Sequence, residues 1–208
     1  AFSRCSNLCF VELPENLVKI EERLFYNCEK LVSIQIPKRT QEIGASAFES
    51  CKSLEFIGLH NRIKKLNEGC FQFCEKLSIV VLPIGLKVVP SKAFRLCTGL
   101  TCLLMQEGIE VIEADAFDGC KALEFVLLPK KSLKKICSGA FAGCVALKKV
   151  TIPADCMVED GAFENGCQVE VFDDKNGCSE TNGRVQSRIK NFIVNSSKES
   201  DAFTFENV

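Results

Sequence analysis

The 208-residue chain has no tryptophan, one tyrosine, one histidine and two methionines. A lone His60 leaves little acid–base chemistry near neutral pH and no histidine cluster for a metal. No apolar run approaches the roughly 18 residues that span a bilayer as a helix, so no direct membrane insertion is expected. A surplus of charge is missing as well. The 26 basic and 27 acidic side chains leave a net charge of −1, which supplies no field for nucleic acid or anionic lipid. G-x-S-x-G, the P-loop, G-x-G-x-x-G and H-E-x-x-H are all absent, and the carboxylates are scattered without a shared apolar setting. These absences argue against an enzyme and against a cofactor or catalytic metal. The chain lacks a starting Met and a basic leader, and its opening AFSRC reads as the middle of a repeat, so repeats are expected to be missing at the N-terminal end.

What the sequence has in quantity is regularity. At 47% hydrophobic and 25% charged, it holds enough material for one ordered core. Phenylalanine recurs at Phe2, Phe25, Phe48, Phe71, Phe94, Phe117, Phe141 and Phe163, at spacings of 23, 23, 23, 23, 23, 24 and 22 residues. Three residues after each of the first seven stands a cysteine, Cys5, Cys28, Cys51, Cys74, Cys97, Cys120 or Cys144, and Cys167 follows Phe163 with a slip of one. Three further on comes a leucine, from Leu8 to Leu147, and then an alternating aliphatic pair such as Ile34 and Ile36. Proline usually closes the unit, as at Pro14, Pro37, Pro83, Pro129 and Pro153.

The unit is therefore A-F-x-x-C-x-x-L-x-x-V-x-I-P, a polar stretch, and an aliphatic residue five positions before the next Phe, from Ile20 to Val158. Alternation in V-x-I is the period of a half-buried strand, and the proline ends its ladder. The Phe-to-Cys segment is too short for a multi-turn helix and reads as a single helical or 3₁₀ turn. The expected class is α/β, a leucine-rich-repeat solenoid with one short strand and one such turn per 23-residue repeat. One repeat cannot bury its Phe, Cys and Leu alone. Stacked repeats can, because equal positions then form columns about 4.8 Å apart. The expected boundaries are a solenoid over 1–172, of about seven repeats, and a cap with a tail over 173–208.

The stretches EIGASAFESCKSLEFIGL (42–59), VIEADAFDGCKALEFVLLP (111–129) and ICSGAFAGCVALKKVTIP (136–153) resemble the BspA-like, Treponema-type leucine-rich repeats. The resemblance covers residues 1 to about 172. It implies a curved right-handed solenoid and, for several members, adhesion or host-protein binding at the cell surface. A secreted or surface location is thus implied, with a cytoplasmic one as the alternative. The chain departs from the pattern at His60 and Gln106, which replace the closing proline, at Leu24 and Cys70 before the Phe, and at one extra residue near Lys130 and Lys131, expected to bulge at a turn.

Fourteen cysteines beside one histidine invite a metal or a disulfide framework, but their register answers most of that. Eight occupy or adjoin one column, where a small buried thiol packs and donates weakly to backbone. Cys156, Cys167 and Cys178 near the cap can pair if the chain is secreted. The lysines at 130, 131, 134, 135, 148 and 149 form a basic group with acids nearby, and Asn195-Ser196-Ser197 is a sequon.

The outward positions of the strands carry the functional expectation. One column runs Phe10, Ser33, Phe56, Ile79, Cys102, Phe125, Lys149, and the other Glu12, Gln35, Gly58, Val81, Leu104, Leu127, Thr151. From the third strand to the sixth the face is apolar, flanked by polar residues at Ser33 and Gln35 on one side and Lys149 and Thr151 on the other. An exposed patch of this kind marks a contact surface. The expected site is therefore Phe56, Ile79, Val81, Leu104, Phe125 and Leu127, and the expected partner is a protein. Self-association of two chains, or cover by a tail containing Phe192, Ile193 and Val194, are the alternatives.

Overall fold

The computed structural model describes residues 1–164 and 166–172. Its strands alternate between two positions around each coil. The longer set is β2 (Ser33–Ile34), β4 (Phe56–Ile57), β6 (Ile79–Val81), β8 (Cys102–Leu104), β10 (Phe125–Leu127), β12 (Lys149–Ile152) and β14 (Gln168–Val171). Between them lie β1 (Lys19–Ile20), β3 (Glu42–Ile43), β5 (Lys65–Leu66), β7 (Val88–Val89), β9 (Val111–Ile112), β11 (Lys135–Ile136) and β13 (Met157–Val158). Even strands pair only with even and odd only with odd, always parallel, as β2-β4, β6-β8-β10, β12-β14, β1-β3-β5 and β7-β9-β11-β13. The register steps one coil at a time, for example Ile79 to Cys102 to Phe125.

The core is the set of columns that the spacing predicts. Phe25 through Phe141 are wholly buried, and successive rings from Phe2 to Phe163 stack at centroid distances of 5.1 to 5.5 Å with planes within 13°. That spacing suits offset-stacked rings and matches the rise of one coil. A further column escaped the sequence reading. Thr40, Ile63, Leu86, Ile109 and Leu133, eight positions before each Phe, are buried at 0 to 2% exposure. Its signal was an apolar residue three places before the aliphatic already recognised, and Thr40 obscured it. The Thr40 hydroxyl satisfies itself by donating to the Leu17 carbonyl at 2.8 Å.

The expected helical or 3₁₀ turn is not found: the described residues contain no helix, and the Phe-to-Cys segment consists of turns. The backbone shows why. Arg23, Phe25 and Asn27 donate to Ala45, Ala47 and Glu49 of the next coil at 2.8 to 3.0 Å, whereas Leu24, Tyr26 and Cys28 close local turns to Glu21, Arg23 and Phe25. Every second amide thus leaves its own segment, which a helix forbids. Two left-handed residues per repeat enforce the alternation. One column holds Arg23, Ser46, Gly69, Lys92, Asp115, Gly139 and Gly161, and the other Arg4, Asn27, Ser50, Phe73, Leu96, Gly119 and Gly143, all at φ between 51 and 72°. Each such residue interrupts a right-handed run.

The odd strands are a second addition. The sequence marked their aliphatic residue but not a strand, since two residues are too few to display a period.

Candidate functional site

The six expected contact residues lie on the outer side of the even strands: Phe56 on β4, Ile79 and Val81 on β6, Leu104 on β8, and Phe125 and Leu127 on β10. Five of them share one three-stranded sheet, in which Val81, Leu104 and Leu127 occupy one cross-strand row and Ile79 and Phe125 flank Cys102 in another. Phe56 belongs to the neighbouring pair of strands, opposite Ser33.

The row is less open than its alternation implies. Val81 and Leu104 are buried, at 7% and 3% exposure, while Phe56, Ile79, Phe125 and Leu127 are half-buried. Val81, Cys102 and Leu104 stand apart from the cluster of buried side chains that forms the core, whereas Val80, Leu82, Leu103 and Met105 belong to it. Leu104 and Cys102 are each the middle member of a row, with a large side chain on either side. The accessible part of the face is therefore its rim: Phe56, Ile79, Phe125 and Leu127.

The thiols are structural. Sγ of Cys28, Cys51, Cys74, Cys97, Cys120 and Cys144 donates to the carbonyl of the Phe one coil earlier, at 3.1 to 3.2 Å. Burial pushes Cys51 and Cys97 up to about 12 and holds Cys74 and Cys120 well above the usual thiol range, so these groups stay protonated and unreactive. Cys156 and Cys167 are free thiols, half-buried on the last described coil. Cys178, the sequon and Phe192 to Val194 lie outside the described residues.

His60 occupies the closing turn. Its Nε2 donates to the Pro37 carbonyl at 2.9 Å and its Nδ1 accepts from the Arg62 amide at 3.3 Å, so the ring spans two coils where proline stands in other repeats. At the extra residue the chain bulges through Lys130, Lys131 and Ser132, whose successive amides converge on the Glu107 carboxylate at 2.8 to 3.4 Å. That carboxylate belongs to the preceding coil and ties the bulge down. Carboxylates elsewhere serve as rungs between lysines. Hydrogen bonds from Lys134 and Lys87 hold Glu110 below the usual carboxylate range, and one from Lys135 does the same for Glu159. No group of three metal-ligating side chains occurs among the described residues.

The model of the BspA-type leucine-rich repeat region matches residues 1–124 and 87–207, in six copies. The chain belongs to this family. A leucine-rich repeat protein from Eubacterium ventriosum superposes with a TM-score of 0.69 at 27% identity, over 81% of this chain and 45% of its own. The Treponema pallidum leucine-rich repeat protein gives 0.64 at 32% identity, over 70% of this chain and 68% of its own. A leucine-rich cell surface protein from Faecalibacterium prausnitzii, at 0.52 and 19% identity, covers 77% of this chain and 60% of its own and shares the fold. The chain spans under half of the Eubacterium protein. No curated protein sequence matches. The family makes this a repeat solenoid of the kind used for protein interaction.

Proposed function

We propose that the chain is a non-enzymatic recognition or adhesion module that binds a protein partner through the outer face of its even strands. The observation that carries this reading is the change of character along that face. Its two rows are polar at Ser33, Gln35, Lys149 and Thr151 and apolar between them, across β4 to β10. Residues that point away from the core gain nothing for it by being apolar, so a confined apolar stretch calls for another explanation. The half-buried Phe56, Ile79, Phe125 and Leu127 are the anchors, and Val81 and Leu104 are the closed floor between them.

The test replaces Phe125 and Leu127 by Ser together. Folding should survive, while affinity for the protein recovered with the wild-type chain from its source should fall by about thirtyfold, or about 2 kcal/mol. Leu123→Ser is the control, two residues away and wholly buried, and should unfold the repeat instead. Sedimentation of the wild-type chain separates foreign binding from self-association through the same face. If the double variant melts as low as Leu123→Ser, the face belongs to the core and the proposed site is lost.

A further inference from the structure

Charged side chains on this solenoid pair across coils with alternating sign. Glu42 lies between Lys19 and Lys65 at 3.6 and 3.7 Å, and Glu110 between Lys87 and Lys134 at 3.3 and 2.6 Å. Arg95 meets Asp118 at 2.9 Å and Lys149 meets Glu170 at 2.8 Å. The pattern has a simple cause. Equal positions of adjacent coils lie about 4.8 Å apart, where two like unit charges repel by about 1 kcal/mol even in water.

Two rows break the pattern, on adjacent turns between even and odd strands. Arg39 is followed by Arg62, and Lys64 by Lys87. Lys87 is neutralised by Glu110. Lys38, Arg39, Arg62 and Lys64 are exposed and form no ion pair among the described residues. Lys38, Arg39 and Arg62 line one surface depression with Glu12, Glu15 and Gln35. His60 fixes the backbone between the two arginines through its bonds to Pro37 and Arg62.

We infer that the Arg39–Arg62 turns receive the carboxylates of an acidic polypeptide segment. This rests on the protein-recognition reading and gives its partner a chemistry. Like charges at equal positions of adjacent coils cost the fold repulsion and return no ion pair among the described residues, and the planar donor forks of Arg39 and Arg62 suit carboxylates held two-point. The signs in the depression select the class of partner. Glu12 and Glu15 repel a uniform polyanion such as a sulfated glycan or a nucleic acid. A polypeptide can set carboxylates on Arg39 and Arg62 and a lysine against Glu12 or Glu15. With a net charge of only −1 the attraction is local, and it governs encounter rate and salt dependence more than final affinity.

The probe is the peptide Glu-Glu-Gly-Ser-Gly-Lys-Lys, immobilised at high density, with immobilised heparin as the rival. The wild-type chain should bind the peptide at low ionic strength and release it as salt approaches 0.15 M. Arg39→Gln with Arg62→Gln should weaken binding about tenfold. Arg39→Lys with Arg62→Lys keeps the charge but loses the two-point fork, and should weaken binding about threefold, less than the glutamine pair does. Lys52→Gln with Lys76→Gln removes the same charge elsewhere and should change nothing. The inference is overturned by equal binding of wild-type and Arg39→Gln/Arg62→Gln chains, by no binding at low salt, or by heparin being held more tightly than the peptide through the same arginines. The Phe125→Ser/Leu127→Ser chain should bind the peptide normally. Loss of the native partner from that chain, with no loss from Arg39→Gln/Arg62→Gln, would sink this inference and leave the strand-face reading standing.

Discussion

The middle coils and the last described coil carry aliphatic residues in the same columns and treat them differently. Val80, Leu103 and Val150 are 0 to 2% exposed, while Val169, their counterpart on β14, is 41% exposed. Ile112 and Ile136 are wholly buried, and Val158 on β13 is 37% exposed. In the third column Leu82 and Met105 are 0 and 2% exposed and Val171 is 58%. Burial in this molecule is therefore a property of position in the stack. A side chain is covered by its own coil on some sides and by the coils above and below on the rest, so each coil completes its neighbours' core.

The sharpest way to break the comparison is at the phenylalanine stack. Phe94 is wholly buried between Phe71 and Phe117, at 5.2 and 5.3 Å, and Phe94→Ala should cost about 3–5 kcal/mol through lost transfer energy and an uncollapsed cavity. Phe2 is half-buried and has a ring neighbour on one side only among the described residues, so Phe2→Ala should cost well under half as much. Urea melts of both variants decide it. Equal losses would mean that stacking does not control the core.

A smaller effect separates Val80→Ala from Val169→Ala. The first removes a fully buried side chain and should cost about 1.5–3 kcal/mol, and the second should cost less than about 1. A finer contrast lies in the cysteine column. Cys97→Ala deletes a buried thiol and its bond to the Phe71 carbonyl, and should cost about 1–2 kcal/mol. Cys5, in the same column but exposed, should tolerate alanine without a measurable shift in melting temperature. Thiol labelling of the native chain gives an independent reading: Cys5 and Cys9 should react quickly and Cys51, Cys74 and Cys97 only on unfolding.

The columns were legible in the sequence because each is a single residue type at a fixed interval. Phe, Cys and Leu repeat without help from their surroundings, and the V-x-I alternation located the even strands. Where the meaning of a residue depended on backbone conformation, legibility ended. Phe73, Leu96 and Lys92 do not look like left-handed residues, yet they share columns with Gly119, Gly143 and Gly69, and this concealed the turns that replace the expected helical segment. At the candidate site the outward direction of Val81 and Leu104 was readable from alternation. Their burial was not, because it is set by neighbours across the sheet as well as along the chain.

The smallest expected effect tests the backbone of the middle coils against that of the later ones. Among the described residues the left-handed positions from Gly139 onward are glycine, whereas Lys92 holds the same conformation at φ 57° with a side chain attached. An L-residue in that region bears about 1–2 kcal/mol of steric cost that glycine avoids, offset in part by the greater freedom glycine loses on folding. The Lys92 side chain returns little, since its ion pair to Glu68 at 3.1 Å is between groups 41% and 62% exposed and worth a fraction of a kcal/mol in water. Lys92→Gly should therefore raise stability by about 0.5–1 kcal/mol. Gly139→Ala, made at the equivalent position, should lower it, because it would adopt the strained φ of 71° and its new methyl would have to displace the Asp115 carboxylate. Paired urea melts give both numbers. If Lys92→Gly is destabilising, the side chain at this position supports the turn, and the left-handed columns are held by side-chain contacts rather than by the hydrogen bonds between coils.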